Sequence, residues 1–174
     1  MENRRKPIIY VAVVLVAVVA GYFIYDNFLA PDPIGEIGIQ QGNMLLDQTI
    51  PDVDGSGSVK LSDYEGSILV IDFFAPWCEP CKAQIQVLRV VDSIEGVEII
   101  SINVDPNYDK EFLLNFGEEE GITWFFGYSP STAIDYEVAG IPTVIIVDQT
   151  GKIVNRQYFT TIQDFERILT PLID

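Results

Sequence analysis

The chain has 174 residues, a formal charge of -16 at pH 7, two cysteines and no histidine. Such a length bounds one ordinary domain plus a short appendage, and so acidic a surface repels phosphate backbones, which argues against a nucleic acid partner. The lack of histidine removes imidazole general base catalysis and the commonest ligand for zinc, copper or haem.

Residues 8–25 carry no charge, and about eighteen residues at a 1.5 Å rise cover roughly 27 Å, close to the hydrocarbon thickness of a bilayer. Arg4, Arg5 and Lys6 precede this stretch, whereas Asp26, Asp32 and Glu36 follow it. The positive-inside rule then predicts a transmembrane signal anchor over 8–29, with residues 1–7 in the cytoplasm and the main domain outside. A cleaved signal peptide is the competing expectation, since Val18-Val19-Ala20 offers small residues at a cleavage site. Either reading exports the domain. Residues 30–43, with Pro31, Pro33 and several Gly and Gln residues, read as a linker, and the domain is expected over 44–174.

A leading hairpin is predicted from the extended stretches 48–53 and 59–61 around the turn residues Asp54-Gly55-Ser56-Gly57. Residues 68–74 are apolar on both alternating faces except for Asp72, the pattern of a strand buried on both sides. Helical spacing runs over 80–94, a strand over 97–103, and a helix over 110–116 that Gly117 is expected to stop. Residues 143–147 and 153–159 flank a turn at 148–151 and predict a second hairpin. In the last helix Thr161 and Asp164 form a capping-box pair ahead of Phe165, Ile168, Leu169 and Leu172. This order predicts an α/β fold with a mixed central sheet and helices on both faces, joined to one N-terminal transmembrane helix.

Both cysteines lie in Trp77-Cys78-Glu79-Pro80-Cys81. A structural disulfide gains most by closing a long loop, and this one would staple almost nothing. Two thiols spaced this way at a helix start suit redox exchange instead. Cys78 is the expected nucleophile, because the helix dipole and orphan backbone N–H groups lower a cysteine pKa there. Cys81, one turn further in, is the expected resolving thiol. Pro80 lacks an N–H and fits the first turn. Glu79 beside the thiolate opposes its charge unless Lys82 or solvent offsets it. Burial of Asp72 would raise its pKa toward the range useful for proton transfer, making it a candidate catalytic acid-base; a strand-end carboxylate in contact with water is the plainer alternative.

The run Phe73-Phe74-Ala75-Pro76-Trp77-Cys78-Glu79-Pro80-Cys81-Lys82 resembles the active-site signature of the thioredoxin superfamily, and Gly140-Ile141-Pro142-Thr143 resembles its cis-proline loop. With the leading hairpin, the phrase Leu61-Ser62-Asp63-Tyr64-Glu65-Gly66 and the anchor, the chain is similar to the TlpA-like branch, exported reductases associated with cytochrome c maturation. The resemblance implies a thioredoxin fold in which Cys78 attacks and Cys81 resolves. It also implies that Trp77 covers the disulfide and that Pro142, between Ile141 and Thr143, is cis and holds substrate backbone. Asp72 and Glu79 depart from the usual residues of that branch and bear on the redox potential. A monomer is expected, with no metal or cofactor. Its partners would be a protein thiol or disulfide substrate and an electron donor or acceptor, met on the extracytoplasmic side of a prokaryotic cytoplasmic membrane.

Four other readings compete. A half zinc site lacks further Cys or His ligands. A peroxidase needs a Thr and an Arg around a lone cysteine, where this chain has Ala75, Pro76 and Trp77. A tethered binding module, or an oxidising rather than reducing enzyme, would carry the same motif.

Overall fold

The computed structural model describes the backbone of residues 5–24 and 35–173, with side chains for 14–23 and 35–173. The chain divides into two units, the first ending at Ile34 and the second beginning at Gly35. The first contains α1, Arg5–Ile24. The expected span over 8–29 lies partly outside the described residues, and among these no helix is long and apolar enough to cross a membrane.

The second unit opens with two short ribbons. β1 (Ile37–Gly38) runs parallel to β2 (Met44–Leu45), and β3 (Thr49–Pro51) pairs antiparallel with β4 (Ser58–Lys60) as the expected leading hairpin. Residues 35–43, read as linker, are instead docked on this unit. The Gly42 N–H donates to the Ile153 carbonyl at 2.8 Å, the Ile153 N–H returns to Asn43 at 2.9 Å, and Ile39 packs on the core. Backbone pairing holds a stretch whose polar composition suggested a solvated spacer.

Then follow β5 (Ile68–Phe74), α2 (Glu79–Val91), β6 (Val97–Asn103), α3 (Lys110–Glu120), β7 (Phe125–Tyr128), α4 (Pro130–Asp135), β8 (Thr143–Val147), β9 (Ile153–Gln157) and α5 (Ile162–Ile173). The central sheet has the order β7-β6-β5-β8-β9. β5, β6 and β7 are mutually parallel, while β8 is antiparallel to both β5 and β9. This is the mixed, thioredoxin-like sheet the sequence predicts. All seven residues of β5 are buried, which is why its apolar run barely alternates. Leu69, Ile71 and Phe73 face one core cluster with Tyr136, while Ile68 and Val70 face another with Leu88, Phe165 and Leu169.

Several boundaries differ from expectation, and α2 ends at Val91 rather than at residue 94. α3 runs past Gly117 to Glu120 and ends at Gly121, whose φ of 70° gives the left-handed stop. Gly117 is inside the helix for another reason: a Cβ there would meet the Phe126 ring at 3.0 Å. β9 stops at Gln157, so Tyr158 and Phe159 fall in the following loop, after a register shift at Ile146/Val147. The start of α5 follows the expected capping box. Thr161 Oγ1 accepts from the Asp164 N–H at 3.1 Å, and the Thr161 N–H returns to Asp164 Oδ2 at 3.2 Å. β7 and α4 have no counterpart in the sequence reading.

Candidate active site

β5 delivers the chain to the sheet's upper edge, and Ala75-Pro76-Trp77 turns it into α2. Cys78 is the N-cap of that helix, with extended φ and ψ of -85° and 101°. Its Sγ accepts from the Cys81 N–H at 3.2 Å, and its carbonyl accepts from Lys82 N–H at 3.2 Å. A sulfur thus occupies the place where a capping oxygen normally satisfies an orphan donor, at the positive end of the helix. The two sulfurs are joined in a disulfide, with Cα atoms 5.2 Å apart. Exposure separates them less than expected: Cys78 is 3% exposed and Cys81 0%, because Phe74, Ile85 and Ile141 pack around both. Trp77, immediately before, is 61% exposed.

Glu79 projects into solvent and pairs with Lys82 at 3.1 Å. That partner offsets the charge beside Cys78, although so exposed a pair is worth little to stability. Pro80 sits in the first turn of α2, as its missing N–H favours.

Opposite this helix start lies the loop into β8. The Ile141–Pro142 peptide is cis. Thr143 opens β8 beside Phe73 of β5, and its hydroxyl donates to the Gly140 carbonyl at 2.7 Å. Ile141 packs on the cysteine cluster. Residues more than sixty positions apart in the chain thereby meet at one sheet edge, since β5 and β8 are neighbours.

Asp72 is fully buried, which removes the reading of a wet strand-end carboxylate. It shares its face of β5 with Val70 and Phe74. Val70 packs with Leu88, and Phe74 packs with Cys81 and Ile85, so Asp72 lies beneath the stretch of α2 between them. Burial pushes its carboxyl up to about 7, against a lowering hydrogen bond from Ser101. That hydroxyl donates to Oδ2 at 3.3 Å and itself accepts from Trp124 Nε1 at 2.9 Å; Oδ1 has no partner. Ser101 and Trp124 were not singled out from the sequence. The signal for Ser101 was its in-register pairing with Asp72, legible only once β5 and β6 are aligned.

Two further elements frame the site. Gln84, fully buried on α2, donates to the Thr160 carbonyl at 3.1 Å and accepts from the Thr160 N–H at 2.7 Å. A groove of about 700 Å³ opens beside Ile141, lined chiefly by Val104, Pro106, Ile134 and Val138, with Glu137 at its wall. Among the described residues no three metal-ligating side chains gather closely enough to hold an ion.

The sequence profile of the AhpC/TSA family matches residues 42–156. The chain belongs to that family. It is 28% identical over 179 residues to the thiol-disulfide oxidoreductase ResA of Geobacillus kaustophilus strain HTA426, covering 97% of each chain. It is also 28% identical over 160 residues to ResA of Bacillus subtilis strain 168, covering 88% of this chain and 86% of that one. Among solved structures, a DsbF homologue from Corynebacterium diphtheriae superposes with a TM-score of 0.66 at 26% identity, over 83% of this chain and 98% of that one. A secreted thiol-disulfide isomerase from Corynebacterium glutamicum shares the fold, with a TM-score of 0.68 at 22% identity over 84% and 96% of the two chains. With its paired cysteines on a thioredoxin-like fold, this family member is a thiol-disulfide oxidoreductase.

Proposed function

We propose that the protein reduces or exchanges disulfides of exported polypeptides, acting as a monomer tethered to the outer face of a prokaryotic cytoplasmic membrane. The observation that carries this reading is the Cys78–Cys81 disulfide capping α2 opposite the Ile141–Pro142 loop. In the reduced protein the Cys78 thiolate is favoured by the N–H groups and dipole of α2. It attacks one sulfur of a substrate disulfide and releases the other as a thiolate. Asp72 takes the proton of Cys81, whose sulfur then attacks Cys78 Sγ and frees the second substrate thiol. Two electrons pass to the substrate, and a dithiol donor restores the enzyme by the reverse exchange. Substrate backbone lies along Pro142 and Thr143, with Trp77 over the disulfide and flanking apolar side chains in the groove beside Ile141. Glu79 and Pro80 tune the potential of the couple. The resemblance favours as substrate a disulfide between nearby cysteines of an exported apocytochrome.

Anchoring is supported by the uncharged run of residues 8–25, the basic residues before it and the acidic ones after. Within α1, Val14, Leu15, Val16, Val18 and Val19 are all exposed, and no polar face divides them. A mature chain that retains Arg4 to Lys6, with its domain open to protease added outside the membrane, is the expected result. A mature N-terminus at Gly21 would favour the cleaved signal peptide.

The decisive experiment for the chemistry is trapping. Cys81→Ser should accumulate a mixed disulfide with its substrate, because the resolving thiol is gone. Trapping that requires Cys78→Ser would reverse the roles, and a couple more oxidising than about -150 mV would favour disulfide formation over reduction.

A further inference from the structure

Trp77 presents 61% of its surface to solvent, yet its indole N–H is committed: it donates to Asp105 Oδ2 at 2.6 Å. Asp105 is itself held on every side. Its Oδ1 accepts from the Asn107 backbone at 2.9 Å and from the Asn107 side-chain amide at 2.7 Å. Asn103, fully buried at the end of β6, donates its amide to the Asp105 carbonyl at 2.9 Å and accepts from the Asp105 N–H at 3.4 Å. The carboxylate is therefore fixed to the sheet edge rather than swinging on a loose loop. Charge on the acceptor makes such a bond short and strong for its type.

This arrangement does little for folding, because the Trp77 ring and the carboxylate stand in water, where an N–H finds a partner in any case. Its effect is on orientation. An exposed indole without that bond rotates freely, and a substrate would have to arrest it on binding. Asp105 also stands between Val104 and Pro106, which line the groove that runs to Ile141. The same short segment thus shapes the groove floor and holds the ring beside the disulfide.

We propose that Asp105 is a positioning residue for polypeptide binding: it fixes the Trp77 indole in one orientation beside Cys78, making the ring a preset continuation of the Val104–Ile141 groove. The inference rests on the reading of Trp77 as part of the substrate-binding surface. A polypeptide lying across ring and groove gains from the preset ring, whereas a small disulfide that reaches only the sulfurs does not.

The test uses the full chain in detergent and its Asp105→Ala and Asp105→Asn variants. Exchange of the reduced protein is followed with a synthetic peptide bearing an internal disulfide and with bis(2-hydroxyethyl) disulfide. Asp105→Ala should slow the peptide reaction about fivefold, the order expected for ordering one more side chain on binding, and leave the small disulfide within about twofold. Asp105→Asn keeps an acceptor of the same shape without its charge and should fall between. It also carries the comparison should the alanine variant fail to fold. In parallel, solvent exchange of the two indole N–H protons is read by NMR. That of Trp77 should accelerate in Asp105→Ala, while that of Trp124, bonded to Ser101, stays as it was. Equal slowing toward both disulfides, or an unchanged Trp77 exchange rate, would overturn the proposal. A wild-type chain that exchanges with neither disulfide would instead overturn the thiol-disulfide reading beneath it.

Discussion

Asp72 and Ser101 face each other across β5 and β6, and the Ser101 hydroxyl donates to one carboxylate oxygen while the other has no partner at all. A carboxyl solvated by a single neutral donor in an otherwise apolar layer is held mainly in its protonated form until the pH approaches about 7. Folding and chemistry both feel this.

For stability the sign follows from the raised pKa. The folded state keeps a proton that the unfolded chain releases near 3.8, so the stabilisation from protonated Asp72 is complete below that pH. It is lost as pH rises from there through about 7. The loss is on the order of 4 kcal/mol across the window. Urea unfolding at a series of pH values should show Asp72→Asn gaining on the wild type from pH 4 to 7 and level beyond. Parallel curves would mean that Asp72 titrates normally.

For chemistry, the rate of mixed-disulfide resolution should rise with pH through an apparent pKa near 7, the value to which burial brings Asp72. Asp72→Asn should flatten that profile and slow resolution about a hundredfold near neutrality, while the first attack by Cys78 changes far less. Rapid-quench measurement of the two steps separates them. An unchanged pH profile would assign the proton to another group.

Gln84 satisfies both backbone groups of Thr160 in a site that water does not reach. Gln84→Ala leaves a buried N–H and a buried carbonyl without partners and should cost about 3 kcal/mol. Denaturant unfolding checks the loss. A cost under about 1 kcal/mol would mean that water enters to replace the amide.

Gly117 lies in α3 against Phe126, whose ring is packed on Phe74 with centroids 5.5 Å apart. Alanine there gains roughly 1 kcal/mol of helix propensity but forces the buried ring aside, at about 2 kcal/mol. Gly117→Ala should therefore lower stability by about 1 kcal/mol. A thermal shift upward would show that the ring yields freely.

Much of the fold was legible in the chain. The apolar run of β5, the helical spacing after Pro80, the leading hairpin and the Thr161 and Asp164 capping box are local patterns, set by propensity and hydrogen bonding between near neighbours. β7 and α4 were not legible, because a strand of four residues and a helix of six leave too little periodicity to read. The docking of residues 35–43 escaped for another reason: polar, glycine-containing chain gains order there through the pairing of Gly42 and Asn43 with Ile153, which the sheet brings in.

The cysteine pair and its place at a helix start are properties of spacing, and the sequence by itself determined them. Which groups surround that pair was decided by strand order. Setting β8 beside β5 brings Pro142 and Thr143 to the sheet edge at α2, and the register of β6 on β5 sets Ser101 against Asp72. Loop geometry at the end of β6 turns Asp105 toward Trp77. Local sequence fixes dihedrals and faces over a few residues, whereas the desolvation of Asp72 and the bond that orients Trp77 depend on contacts between strands far apart in the chain, and only packing establishes those.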